Sequence, residues 1–99
     1  TFLSNRNYLD GVLTLHKSLQ LVKAKYPLYC LLSMNVEEEV IRILEADGIE
    51  CIQLKECVTT DMRVNSLAWA SNWNYTFDKL YMWGLTQFEK IVFIDADML

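Results

Sequence analysis

The segment Y-L-D-G-V-L-T-L-H-K-S-L-Q-L-V-K-A-K-Y-P-L-Y-C-L-L-S, residues 8–33, joins a helical apolar period to a short apolar run. Apolar residues recur at Val12, Leu15, Leu19, Val22 and Tyr26. Steps of three and four place them on one face of a helix, predicted from about Tyr8 to Lys25. Pro27 has no backbone N–H to offer and is expected to end that helix. Leu28 to Ser33 then forms a short, almost continuous apolar run. A strand covered on both faces requires such a run. A helix feeding directly into a buried strand predicts parallel pairing.

The same alternation extends in both directions. Phe2-Leu3-Ser4 is a short apolar start, broken by Asn5-Arg6-Asn7. Val36, Val40, Ile41 and Leu44 give a second helical stripe, and Glu37, Glu38 and Glu39 fall in its first turn. Anions are favoured there by the helix dipole. Gly48 sits where a C-terminal cap glycine belongs. Glu50 to Leu54 is a third short strand. Lys55 to Tyr75 has no clear period and reads as irregular, with a helical turn near Val64 to Ala70; long loops of this kind are often functional. Phe77, Leu80, Tyr81, Gly84, Leu85 and Phe88 mark a third helix, with Trp83 and Phe88 expected to pack on the sheet and Gly84 to allow close approach. Ile91 to Ile94 is expected to be a buried strand running into Asp95-Ala96-Asp97. The order β-α-β-α-β-loop-α-β predicts a single α/β domain with a Rossmann-like, mostly parallel sheet flanked by helices.

Composition narrows the function. The chain has 99 residues, is 53% hydrophobic and carries a net charge of −4. No basic cluster is present to neutralise phosphates, which argues against nucleic acid as a partner. No apolar run approaches the length of about 18 residues that a membrane span needs. Cys30, Cys51 and Cys57 form no C-x-x-C pair, and His16 is the sole histidine. That supplies neither a zinc site nor an even disulfide framework. Two strand-core thiols and one loop thiol in a reducing, cytosolic compartment are expected. His16 is expected at the surface.

Asp95 and Asp97 are the sharpest chemical signal. Ligands of open α/β sheets bind beyond the carboxyl ends of the strands. In an extended chain, residues i and i+2 point the same way, so both carboxylates can converge. Paired carboxylates repel unless a cation joins them, and hard divalent ions take carboxylate and phosphate oxygens together. A metal-bridged diphosphate site and a pair of solvated acids capping a strand both fit this pattern. A Walker-type site does not, because Gly11, Gly48 and Gly84 form no phosphate loop.

The segment F-D-K-L-Y-M-W-G-L-T-Q-F-E-K-I-V-F-I-D-A-D-M-L, residues 77–99, resembles a block of glycosyltransferase family 8, the family of glycogenin and galactinol synthase. Lys79, Leu80, Trp83, Leu85, Phe88, Lys90, Asp95, Ala96 and Asp97 fall in register. At the amino end Ser4, Asn5, Tyr8, Gly11, Leu15, Ser18 and Leu19 resemble the family's opening. The resemblance implies a GT-A fold and a retaining hexosyl transfer from UDP-glucose or UDP-galactose. It implies Mn²⁺ (or Mg²⁺) held by Asp95 and Asp97, and catalytic roles for Lys79 and Asp97. Donor contacts would come from Phe2, Ser4, Asn5, Tyr8, Lys79, Asp95, Ala96 and Asp97, with the Tyr8 ring stacking on uracil.

The implied partners are the nucleotide-sugar donor and an acceptor (glycan, protein or small polyol), with a homodimer as an option. One departure is visible: Trp69-Ala70-Ser71-Asn72 stands where relatives often carry a donor-binding arginine, and the nearest arginine is Arg63. Trp69, Trp73 and Tyr75 form a loop aromatic group that can pack on the sheet edge or stack on a ligand. Asp78 is expected to be a first-turn acid with no chemistry. The chain is expected to be the amino-terminal, donor-binding part of a longer domain, whose metal-completing histidine and acceptor residues lie downstream. A non-catalytic nucleotide-binding module and a metal-dependent phosphatase are the competing readings.

Overall fold

A computed structural model describes residues 1–55 and 76–98. The irregular stretch expected from Lys55 to Tyr75 lies outside the described residues except for its first residue. So do Cys57, Arg63, the helical turn near Val64 to Ala70, and the aromatics Trp69, Trp73 and Tyr75.

The elements in chain order are β1 (Phe2–Leu3), a 3₁₀ turn (Arg6–Tyr8), α1 (Leu9–Leu21), β2 (Tyr29–Leu32), α2 (Glu38–Ala46), β3 (Glu50–Gln53) and a 3₁₀ segment (Thr76–Gly84). The strands form a parallel sheet in the order β1-β2-β3. Phe2 faces Leu31 across the first pairing, and Cys30 faces Cys51 across the second. Each parallel step is bridged by a helix, as the alternation predicts. β2 is central, and its Cys30, Leu31 and Leu32 are all buried, so the unbroken apolar run has the predicted cause. β3, with exposed Glu50 and Gln53, is an edge among the described strands.

The core gathers Leu3, Val12, Cys30, Leu32, Val40, Leu44 and Ile49. Removing each such side chain from water contributes about 1.5–3 kcal/mol. Both β-strand thiols are free. Burial pushes the Cys30 thiol up to about 12 and the Cys51 thiol up to about 11, so both behave as packing groups.

The helix ends correct one expectation. α1 stops at Leu21, well before Pro27. Lys23 takes a left-handed φ of 54°. Its N–H donates to the Gln20 carbonyl, and the Ala24 N–H donates to the Leu19 carbonyl. This is the hydrogen-bond pattern of a Schellman cap. The chain leaves the helix there, so Val22 and Tyr26 are exposed although they continue the apolar stripe. α2 closes in the same way, with Gly48 (φ 88°) in the left-handed position, as expected from its sequence.

His16 also differs from expectation. It is mostly buried, and its Nδ1 lies 2.8 Å from Asp47 Oδ2 at the end of α2. Helix packing, which periodicity along one helix does not report, brings the two together.

The carboxyl-terminal segment departs furthest. Residues 76–84 form a 3₁₀ helix, not an α-helix. With three residues per turn, positions i and i+3 eclipse. Leu80 and Trp83 therefore share a face, and that face is exposed, so Trp83 is not core. Asp78 and Tyr81 share the inward side. Gly84 has open space around it and permits no close approach. Phe88 does pack, edge-on against Tyr29 with ring centroids 4.7 Å apart. Ile91 to Ile94 is not a strand. A strand exists only through backbone pairing, and the described sheet pairs β1, β2 and β3 alone. Val92 is 83% exposed, while Phe93 and Ile94 are half-buried.

Candidate functional site

The carboxyl ends of β1 and β2 lie side by side, because Leu3 faces Leu32 in parallel register. The chain leaves β1 through Ser4 and Asn5. The Asn5 carboxamide oxygen accepts from the Asn7 N–H at 2.9 Å and caps the 3₁₀ turn. Its amide donates to Ser4 Oγ at 3.2 Å. Tyr8 ends that turn with half its surface exposed, at the start of α1. Its ring is available for stacking. Phe2 and Ser4 are half-buried.

Asp95, Ala96 and Asp97 occupy a tight turn, closed by the Met98 N–H donating to the Asp95 carbonyl at 3.2 Å. This corrects the extended geometry assumed from an i, i+2 alternation. The turn is seated by Ala96, which is buried. A Cβ placed on Gly11 would stand 2.6 Å from the Ala96 carbonyl oxygen. Only a glycine in α1 admits this approach, so Gly11 docks the acid turn onto the helix that Tyr8 precedes. Asp95 and Asp97 remain exposed.

Lys79 Nζ lies 3.6 Å from Asp95 Oδ1 and 5.6 Å from the centre of the Phe93 ring. An ion pair this open to water contributes at most about 1 kcal/mol. Its consequence is local: it keeps one cation beside the acid turn. Among the described residues, no hydrogen bond or ion pair joins Ser4, Asn5 or Tyr8 to Asp95 or Asp97. The structure brings Lys79 to Asp95 and Ala96 to Gly11, and leaves the β1 group adjacent in the fold but unbonded to them.

Two residues of this region carry no functional expectation from the sequence, where Asp78 reads as a first-turn acid with no chemistry. Ser33, at the carboxyl end of β2, and Asp78 are both fully buried, and Ser33 Oγ donates to Asp78 Oδ2 at 2.5 Å. That length is at the short end of the range for O–H···O hydrogen bonds. The only available signal was a hydroxyl directly after an apolar run. Nothing in the spacing links positions 33 and 78.

A family model described as glycosyl transferase family 8 matches residues 1–99. The chain belongs to glycosyl transferase family 8. It is 32% identical over 99 residues to galactinol synthase 4 of Arabidopsis thaliana, covering 99% of this chain and 29% of that protein. It is 34% identical over 100 residues to galactinol synthase 1 of Ajuga reptans, covering 99% and 29%. It is 34% identical over 101 residues to glycogenin-1 of Caenorhabditis elegans, covering 100% and 23%. The chain thus spans less than a third of the length of these relatives. The three parallel strands and their helices are part of the family's GT-A, Rossmann-like sheet. None of the described helices is long and apolar enough to cross a membrane.

The donor set can be tested against the metal that such a family implies. Asp95 and Asp97 offer hard oxygen ligands on an exposed turn. Mg²⁺-like ions are commonly held by one or two carboxylates plus substrate phosphates, not by an all-protein cage. Among the described residues no group of three or more metal-ligating side chains forms. The residues fit the group.

Proposed function

We propose that the protein carrying this chain is a metal-dependent, retaining glycosyltransferase that moves a hexose from UDP-glucose or UDP-galactose to a glycan, protein or small-polyol acceptor. The observation that carries this reading is the acid turn Asp95-Ala96-Asp97, seated on Gly11, with the Lys79 ammonium 3.6 Å from Asp95. Exposed carboxylates and a lysine at the ligand-binding end of a parallel sheet suit a diphosphate.

In this reading Asp95 and Asp97 hold the divalent ion, Mn²⁺ or Mg²⁺. When bound, that ion supplies charge neutralisation at the departing nucleoside diphosphate. Lys79 donates to a phosphate oxygen and shares that charge. Tyr8 lays its exposed ring on the uracil. Ser4, Asn5 and Phe2 shape the base pocket through backbone and polar groups, while Ala96 sets the turn. Two free thiols, Cys30 buried and Cys51 half-buried, suit a reducing cytoplasm. A homodimer is the assembly to test, by light scattering of the full-length protein.

The test is Asp95→Asn and Asp97→Asn in the full-length protein, assayed for release of UDP and sugar transfer with Mn²⁺. Both variants are expected to lose metal-dependent transfer. Undiminished transfer by both sinks the reading. Binding of UDP-sugar by the unmutated protein without any UDP release identifies a binding module instead, and phosphate release from a monoester identifies a phosphatase.

A further inference from the structure

We propose that Asp78 is a positioning residue. Its buried bond to Ser33 pins the 3₁₀ segment to the carboxyl end of β2, and so holds the Lys79 ammonium against Asp95, where a donor diphosphate would meet it.

Ser33 is itself fixed from both sides. Its N–H donates to the Leu3 carbonyl at 3.0 Å, and its carbonyl accepts from the Val36 N–H at 3.1 Å. The hydroxyl therefore projects from a backbone held by β1 and by the turn into α2. Asp78 accepts from it at 2.5 Å with no exposure of either residue. Successive residues of a 3₁₀ helix are rotated by a third of a turn. Holding Asp78 inward therefore sets the direction in which Lys79 leaves the segment. Lysine has a long, flexible stem, and the Asp95 pair is too open to water to restrain it alone. Burying an acid is costly unless it is bonded, and a single buried hydrogen bond adds only modestly to stability. Its place beside the lysine, at the end of the sheet where ligands bind, gives the acid a purpose that stability does not.

The effect on the donor rests on the nucleotide-sugar reading above, whereas the placement of Lys79 does not, so the experiment has two arms. In the full-length protein, trace acetylation with acetic anhydride is followed at Lys79, with exposed Lys90 as the internal reference. Ser33→Ala and Asp78→Ala are expected to raise Lys79 labelling severalfold and leave Lys90 unchanged. Should Ser33→Ala not fold, because it takes a donor from a buried acid, Asp78→Ala carries the test.

In the second arm Asp78→Ala raises KM for the UDP-sugar severalfold with little change in kcat. The same substitution in a Lys79→Ala background adds nothing further, because the two act as one unit. Unchanged Lys79 labelling, or an equal rise at Lys79 and Lys90, overturns the proposal. So does an Asp78→Ala penalty of the same size with and without Lys79. If the unmutated protein turns over no nucleotide-sugar, the labelling arm still decides the placement, and it is the donor reading that falls.

Discussion

Residues 2–54 and residues 76–98 are held by different means. The first region is a closed layer: two helices and three strands share a core of Leu3, Val12, Leu32, Val40, Leu44 and Ile49. The second, among its described side chains, contributes Ala96 to that core. It is seated on the layer at separate points, namely Asp78 on Ser33, Ala96 on Gly11 and Phe88 on Tyr29. Yet it carries Lys79, Asp95 and Asp97. A site built this way depends for its placement on contacts such as these, while the stability of the layer is spread over its core. Substitutions in the two regions should therefore separate stability from ligand binding.

The largest loss of stability is expected in the layer. Leu44 is fully buried, and Leu44→Ala should cost about 2–5 kcal/mol in denaturant unfolding. A loss well below that range would break the contrast, since it would mean the layer is loosely packed.

Gly11→Ala should act across the boundary. Alanine favours the helix by about 1 kcal/mol, while forcing a Cβ against the Ala96 carbonyl costs about 1–3 kcal/mol. Net unfolding stability should fall by no more than about 2 kcal/mol, from those same two terms. Mn²⁺ affinity, read by calorimetry, should drop further than stability does, because the acid turn has to move. Unaltered Mn²⁺ binding would show that the turn is not seated by Gly11.

The layer's thiols predict its alkaline limit. Cys30 is raised from 9.0 to about 12 and Cys51 from 9.0 to about 11 in the folded chain. Well below pH 9 both states keep these protons, so no pH dependence arises from them there. Between pH 9 and 12 the unfolded chain releases protons that the folded chain retains, so stability should fall as pH rises. Denaturation midpoints measured across that window test it, and replacing Cys30 with Ala should flatten the slope.

The smallest effects sharpen the contrast within the layer itself. α1 and α2 end in the same hydrogen-bond pattern, one on Lys23 and the other on Gly48. A left-handed non-glycine residue costs on the order of 1 kcal/mol. Lys23→Gly should therefore raise the melting temperature slightly, and Gly48→Ala should lower it.

Much of the layer was legible because local physics repeats along the chain. The step of three and four marked α1 and α2. The almost continuous run Leu28 to Ser33 marked the central strand, and Gly48 announced its cap. Lys23 gave no such sign, because a lysine enters the left-handed region only where the path of the chain beyond the helix demands it, against its own preference. Trp83 and Val92 misled for a related reason. Apolar character records what a segment needs, while pairing and cover decide whether the need is met. The acid pair, Lys79 and the family's opening residues were readable as motifs, since their chemistry depends on residue type and spacing.

Other features belong to the tertiary structure alone. Ser33 and Asp78 are 45 residues apart, as unremarkable in sequence as His16 and Asp47, and no periodicity joins them. The sequence determined the alternating α/β layer, its central strand and the residues that define the family. The tertiary structure decided that Asp95 and Asp97 sit in a turn and not on a strand, that Gly11 is where this turn rests, and that a buried acid stands behind the lysine. Secondary structure follows from neighbours along the chain, whereas burial and hydrogen bonding between distant residues arise only once the chain has packed.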